Sequence, residues 1–139
     1  MTPWRLRSWF SGSRDRDSAR SMRLRAVVGA LARACERRRP EEVAALLGWD
    51  VRLVVDSGGT VPAALSDVRG AVPAAAALMG VLSLFPGAVF DHVEVNGMPA
   101  LALREGTRVV GVITVAVRRR AVYAVWMVVN PAKLAHWNR

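Results

Sequence analysis

Between residues 21 and 38 the apolar side chains fall at Leu24, Val27, Val28, Leu31 and Cys35, three and four apart. That is the spacing of one buried helical face, and it predicts a first helix over 21–38. Pro40 ends it and opens a second, with Glu41 and Glu42 in the favourable first turn and Val43, Leu46 and Leu47 on the apolar side, stopped by Gly48. Val51, Arg52, Leu53, Val54 and Val55 then read as a strand, Ser57-Gly58-Gly59 as a turn, and 61–68 as an irregular extended return. A third helix is predicted over 72–84, with Pro73 tolerated in its first turn and Leu78, Val81, Leu82 and Phe85 as its buried stripe. The remainder alternates between strand and turn: 89–95, the Asn96-Gly97 hairpin, 99–103, Glu105-Gly106, 109–117, Arg118-Arg119-Arg120, and 121–129.

Helix, helix, strand, helix and then an antiparallel meander is an α+β order, with three N-terminal helices gathered on one face of a bent sheet. The two final strands are apolar at nearly every position, which is the pattern of strands covered on both faces. Helices cover one side, and a homodimer through the outer face is the economical cover for the other. The concave side of such a sheet forms a pocket of the kind small ligands occupy. The uncharged run 70–90 is long enough to cross a bilayer, but Pro73, Gly80, Pro86 and Gly87 cut it to a core helix, so no transmembrane segment is expected.

Charge changes the picture at one end only. Through residue 39 there are eleven arginines against Asp15, Asp17 and Glu36, whereas the remaining hundred residues carry nine basic and eight acidic groups. The body of the domain is therefore near neutral. Residues 1–20, where Trp4, Leu6, Trp9 and Phe10 interleave with Arg5 and Arg7, read as a basic leader and 21–139 as the domain. That leader is either a short amphipathic anchor for an anionic surface or a flexible extension, and the second is the simpler reading. Nineteen of the twenty basic residues are arginine, which together with the Ala and Val richness suits a GC-rich genome. A basic arm alone supplies only non-specific phosphate attraction, so specific nucleic-acid binding is not expected. The single cysteine, Cys35, excludes an internal disulfide and a cysteine zinc cage, and its place on the helical face marks it as a small buried hydrophobe in a reducing cytoplasm.

Several strings in this order resemble the SnoaL-like (nuclear-transport-factor-2-like) family. They are Asp50-Val51-Arg52-Leu53-Val54 leading into Asp56-Ser57-Gly58-Gly59-Thr60-Val61, then Val95-Asn96-Gly97-Met98-Pro99-Ala100-Leu101, Arg108-Val109-Val110-Gly111-Val112, and Asn130-Pro131-Ala132-Lys133-Leu134-Ala135-His136. Within that family they most resemble the C-terminal domain of one group of actinobacterial extracytoplasmic-function sigma factors, over roughly residues 22–136. The resemblance implies a cone of curved antiparallel sheet closed by helices. The family-motif positions it marks are Asp56, Gly58, Gly59, Asn96, Gly97, Asn130, Pro131, Lys133 and Leu134. Ser57 and Thr60 depart from the usual Gly and Lys, Ala132 from Asp, and Arg118-Arg119-Arg120 stands where an Asp-Gly turn is usual. The polymerase- and promoter-binding regions of such sigma factors have no counterpart here, so the expectation is a stand-alone domain. In the family that domain tunes its sigma factor, which implies a sigma factor or another transcription protein as partner.

Enzymes of this family place an Asp, His or Tyr inside the cone, where burial tunes it for proton transfer. The candidates are Asp56, Asp91, His92, Tyr123 and Asn130. Strand alternation puts Asp91 with Val89, Val93 and Val95, and His92 with Phe90, Glu94 and Asn96, so the two neighbours cannot both line a pocket. Asp91 on its apolar face is the one catalytic candidate, a general base if buried. The competing reading is a carboxylate reaching water near a strand end. His92 beside Glu94 reads as the solvated face, and Asp56 as a partner of the turn amides of Gly58 and Gly59. Alternation also separates Tyr123 from Trp126, one to line the cone and the other the outer interface, with a plain core position as the alternative for either. His136 has no second ligand at metal spacing, so neither a metal nor a cofactor is expected. The resulting expectation is a regulatory or ligand-binding domain for a transcription protein or a small apolar molecule. A polyketide cyclase or isomerase resting on Asp91 is the alternative.

Overall fold

A computed structural model describes residues 11–139, with the side chains of the first helix from Ser18 onward. Trp4, Leu6, Trp9 and Phe10 lie outside the described residues. Three helices, α1 (Ser11–Glu36), α2 (Pro40–Leu46) and α3 (Ala71–Leu82), pack with six strands, β1 (Leu47–Asp56), β2 (Asp67–Arg69), β3 (Val89–Val95), β4 (Met98–Glu105), β5 (Arg108–Arg118) and β6 (Ala121–Val128). None of the described helices is long and apolar enough to cross a membrane.

α1 starts ten residues before the apolar spacing predicts. The periodicity detects only the packed part of the helix: Leu24 is its first buried residue among the described side chains. Residues 11–23 contain no proline to stop a helix. At its far end Arg38 adopts φ 55, and the amides of Arg38 and Arg39 bond back to the carbonyls of Cys35 and Ala34. That closure is the left-handed C-terminal cap usually given to glycine, and it delivers Pro40 to the first position of α2.

The six strands form one sheet in the order β2-β1-β6-β5-β4-β3. β3 to β6 are the antiparallel meander the pattern predicts, and β2 pairs antiparallel with β1. β1 and β6 run parallel, so the sheet is mixed rather than wholly antiparallel. Hydrophobic pattern marks the strands but does not carry the direction in which a distant strand meets the meander. Register shifts between Leu47 and Arg52, Leu103 and Arg104, and Ala116 and Val117 insert extra residues that bend the sheet. The core fills its concave side. Val28, Leu31 and Cys35 of α1, Leu78, Val81 and Leu82 of α3, and Val51, Leu53, Leu101, Leu103, Ile113, Val125 and Met127 of the strands are fully buried there. Each such aliphatic side chain contributes roughly 1.5–3 kcal/mol by leaving water.

Candidate functional site

The motif strings converge in space, and what they build is a latch. β1 ends at Asp56, and the turn after it crosses the exit of β6. Asn130 Nδ2 donates to Asp56 Oδ1 at 3.3 Å, and Lys133 Nζ donates to Asp56 Oδ2 at 2.5 Å. The amides of Gly59 and Val61 donate to the Ser57 hydroxyl, at 3.2 and 3.0 Å. Asp56 therefore bonds Lys133 and Asn130 and takes a backbone hydrogen bond from Gly58, while the Ser57 hydroxyl holds the amides of Gly59 and Val61. The hydrogen bond from Lys133 holds the Asp56 carboxyl below the ordinary carboxylate range. Gly58 (φ +67) passes so close to Asn130 that a Cβ there would lie 2.9 Å from Asn130 Cγ. Leu134 is buried beneath, and Asn96 and Gly97, at φ 52 and 77, turn the β3–β4 hairpin. These residues bind the fold together and present no reactive group to a cavity.

Asp91 lies on the face of β3 opposite Phe90, and Phe90 is the residue that enters the core. Its carboxylate accepts from Arg104 Nε at 2.7 Å and Arg104 Nη2 at 3.3 Å. The two side chains are 41% and 38% exposed. The hydrogen bond from Arg104 moves the Asp91 pKa down, the reverse of what a buried general base requires. Its position corrects the pocket assignment. α1 covers the face that carries Phe90, and the apolar valines beside Asp91 belong to the outside of the sheet. His92 and Glu94 are exposed on the α1 side, in a shallow groove shared with Arg25 and Pro99.

Tyr123 and Trp126 are both exposed, at 38% and 46%, and neither lines the main cleft. The cause is a bulge. Val117 faces Val122 while Ala116 faces Ala124, so Tyr123 is an extra residue in β6 and the alternation shifts by one beyond it. Val122 before the bulge and Val125 and Met127 after it point into the core, leaving both rings outside. Arg118 stacks over the Tyr123 ring at 4.6 Å. At the C-terminus, His136 and Trp137 lie 5.8 Å apart in a short 3-10 turn. Asn138 in the same turn accepts from the Val109 amide at 2.7 Å and donates to the Val109 carbonyl at 2.9 Å, acting as a ladder partner for β5. Nothing in the sequence pattern marks that role. Among the described residues, no group of three His, Cys, Asp or Glu side chains could hold a metal ion.

A cleft of about 900 Å³ lies between α1 and the end of the sheet where β5 turns into β6. Leu24, Ala26 and Val27 of α1, Met98 of β4 and Val115, Ala116 and Val117 of β5 line it. Arg20 and Arg23 border it from α1, and Arg119 and Arg120 from the turn. Among the described residues in this lining, arginine is the only ionisable type. The signal for it was present in the sequence as the Arg118-Arg119-Arg120 run, but only the fold brings that run opposite the arginines of the first helix.

No family model and no curated protein matches the chain by sequence. Solved structures do match it. The extracytoplasmic function sigma factor SigJ of Mycobacterium tuberculosis is 27% identical over 88% of this chain, with a TM-score of 0.62. The chain spans only 48% of that protein's length. An isomerase candidate of the SnoaL-like family from Agrobacterium tumefaciens aligns over 78% of this chain and 98% of its own, at 15% identity and a TM-score of 0.54. A de novo designed protein with a curved β-sheet aligns over 84% and 96%, at 20% identity and a TM-score of 0.58. At such identities the last two concern the fold alone.

Proposed function

We propose that this chain, whose fold is the SnoaL-like, nuclear-transport-factor-2-like one, is a regulatory domain that binds a ligand without transforming it. The observation that carries this reading is the lining of the cleft. Among the described residues that line it, the ionisable side chains are all arginines, which stay protonated throughout the working range of a protein and cannot serve as general bases. An isomerase or cyclase needs a proton acceptor beside the substrate carbon. Asp91, the carboxylate offered for that task, lies on the far side of the sheet in an ion pair with Arg104. The likeness to a sigma factor supports a role in transcription, with a sigma factor as the partner.

The test has two arms. Thermal-shift screening against small organic acids and apolar metabolites is expected to find stabilising ligands that are recovered chemically unchanged. Turnover of any of them by the purified protein overturns the reading. Affinity capture from the native host is expected to recover a sigma factor, and its repeated absence removes that partner.

The outer face of the sheet supports a second copy of the chain as its cover. Trp126 and Tyr123 project from it, 46% and 38% exposed. Two exposed aromatics on one face of a sheet are residues of the kind enriched in an interface core.

A further inference from the structure

We propose that the cleft takes an amphipathic small-molecule anion: a carboxylate, phosphate or sulfonate head held by the arginines, with a hydrocarbon body laid along the apolar floor. This names the ligand class for the binding role proposed above and rests on it.

The β5–β6 turn is the starting observation. Arg118 pairs with Ala121, so Arg119 and Arg120 are the two central residues of a tight hairpin. Both have positive φ, 53 and 68. The same chain turns β3 into β4 with Asn96 and Gly97 at φ 52 and 77, the residue pair such a turn favours. Arginine has no conformational reason to occupy these positions, and each held there costs free energy. What the pair contributes is two guanidinium groups at one border of the cleft, facing Arg20 and Arg23 on the other. Among the described residues, none of the four lies within ion-pair distance of an acidic side chain.

Four positive groups around a floor of Leu24, Val27, Met98, Val115 and Val117 specify the occupant by chemistry. Guanidinium forks grip carboxylate, phosphate and sulfonate oxygens in pairs, and a hydrocarbon gains by leaving water for the floor. The first ten residues of the chain carry Arg5 and Arg7 and no acidic group, so their charge matches the rim and disfavours them as occupant. The volume of about 900 Å³ lies within the range of small-molecule sites.

Isothermal titration of the full chain with decanoate, decanol and decyltrimethylammonium separates head from body. Decanoate is expected to bind at least tenfold more tightly than decanol, to weaken with added salt, and to outcompete the cation. The double variant Arg119→Asn/Arg120→Gly keeps a favourable turn and is expected to lose about tenfold in decanoate affinity while its decanol affinity stays unchanged. Equal binding of decanoate and decanol overturns the anion assignment and leaves a ligand-binding cleft standing. Unchanged decanoate affinity in the double variant removes the turn arginines from the site. Binding to anionic vesicles or an acidic peptide with none to monomeric decanoate also overturns the proposal, as does no binding of any probe. Chemical conversion of a probe would instead overturn the non-catalytic role.

Discussion

Gly58 and Gly59 both have positive φ, +67 and +91, yet only Gly58 also lies against a neighbour, the Asn130 amide. Gly58→Ala is expected to lose about 2–4 kcal/mol in a urea titration, from backbone strain and from displacing the Asn130 latch. Gly59→Ala, with open space around it, is expected to lose only the conformational part, about 1–2 kcal/mol. Equal losses would mean that the contact with Asn130 contributes nothing. Cys35 is buried to zero exposure, and desolvation pushes its thiol up to about 12. It is therefore expected to react with a maleimide only at the rate of unfolding, and rapid labelling of the native protein contradicts its placement. Asp56, Asp67 and Asp91 are each held below the ordinary carboxylate range, first by hydrogen bonds from Lys133, Arg52 and Arg104. A pKa lower in the folded than in the unfolded chain favours folding above the unfolded value. That contribution disappears as pH falls through the folded one. Urea midpoints are therefore expected to hold from neutrality to about pH 5 and to drop below about pH 4. A midpoint that rises on acidification would exclude these pairs as contributors.

At the scale of elements, the two tight hairpins form an internal comparison. Asn96-Gly97 meets the left-handed geometry at little cost, whereas Arg119-Arg120 holds the same kind of geometry with two side chains that disfavour it. Arg119→Asn/Arg120→Gly is expected to raise stability by about 1–2 kcal/mol, measured as a shift in the urea midpoint at constant slope. Unchanged or lowered stability would mean that the arginines make compensating contacts in the free protein. The bulge at Tyr123 works at the same scale. One extra residue in β6 lets Val122, Val125 and Met127 all reach the core and turns both large aromatics outward. Pure alternation along β6 separates the two rings because periodicity in one strand cannot register an insertion that exists only relative to its partner.

For the whole molecule, the proposed self-association and the proposed ligand site use separate surfaces, the outer sheet face and the arginine-bordered cleft. Trp126→Asp places a charge on the outer face, where the ring is 46% exposed. Sedimentation is expected to shift from dimer to monomer while the urea midpoint moves by less than about 1 kcal/mol, since the side chain is outside the core. A wild-type protein that sediments as a monomer would leave this face for another partner.

The amino-acid sequence by itself determined the order and approximate places of the helices and strands, because burying one face imposes a period of 3.6 or 2 on apolar positions over short stretches, but not the unpacked start of α1 or the entry of Leu47 into β1. It also determined the Asn96-Gly97 turn, where residue type dictates φ, and the burial of Cys35 on a helical face. Its motif strings indicated the fold, and the structure explains why: Asp56, Gly58, Asn130 and Lys133 meet to close the sheet. The tertiary structure alone decided the parallel entry of β1 beside β6, the side of the sheet on which Asp91 lies, and the shared exposure of Tyr123 and Trp126. It also decided the cleft. Arg20 and Arg23 stand about a hundred residues from Arg119 and Arg120, and local periodicity contains no information on which distant charges share a cavity. That depends on sheet order, on inserted residues relative to a partner strand, and on which face a helix covers, all of them set by long-range packing.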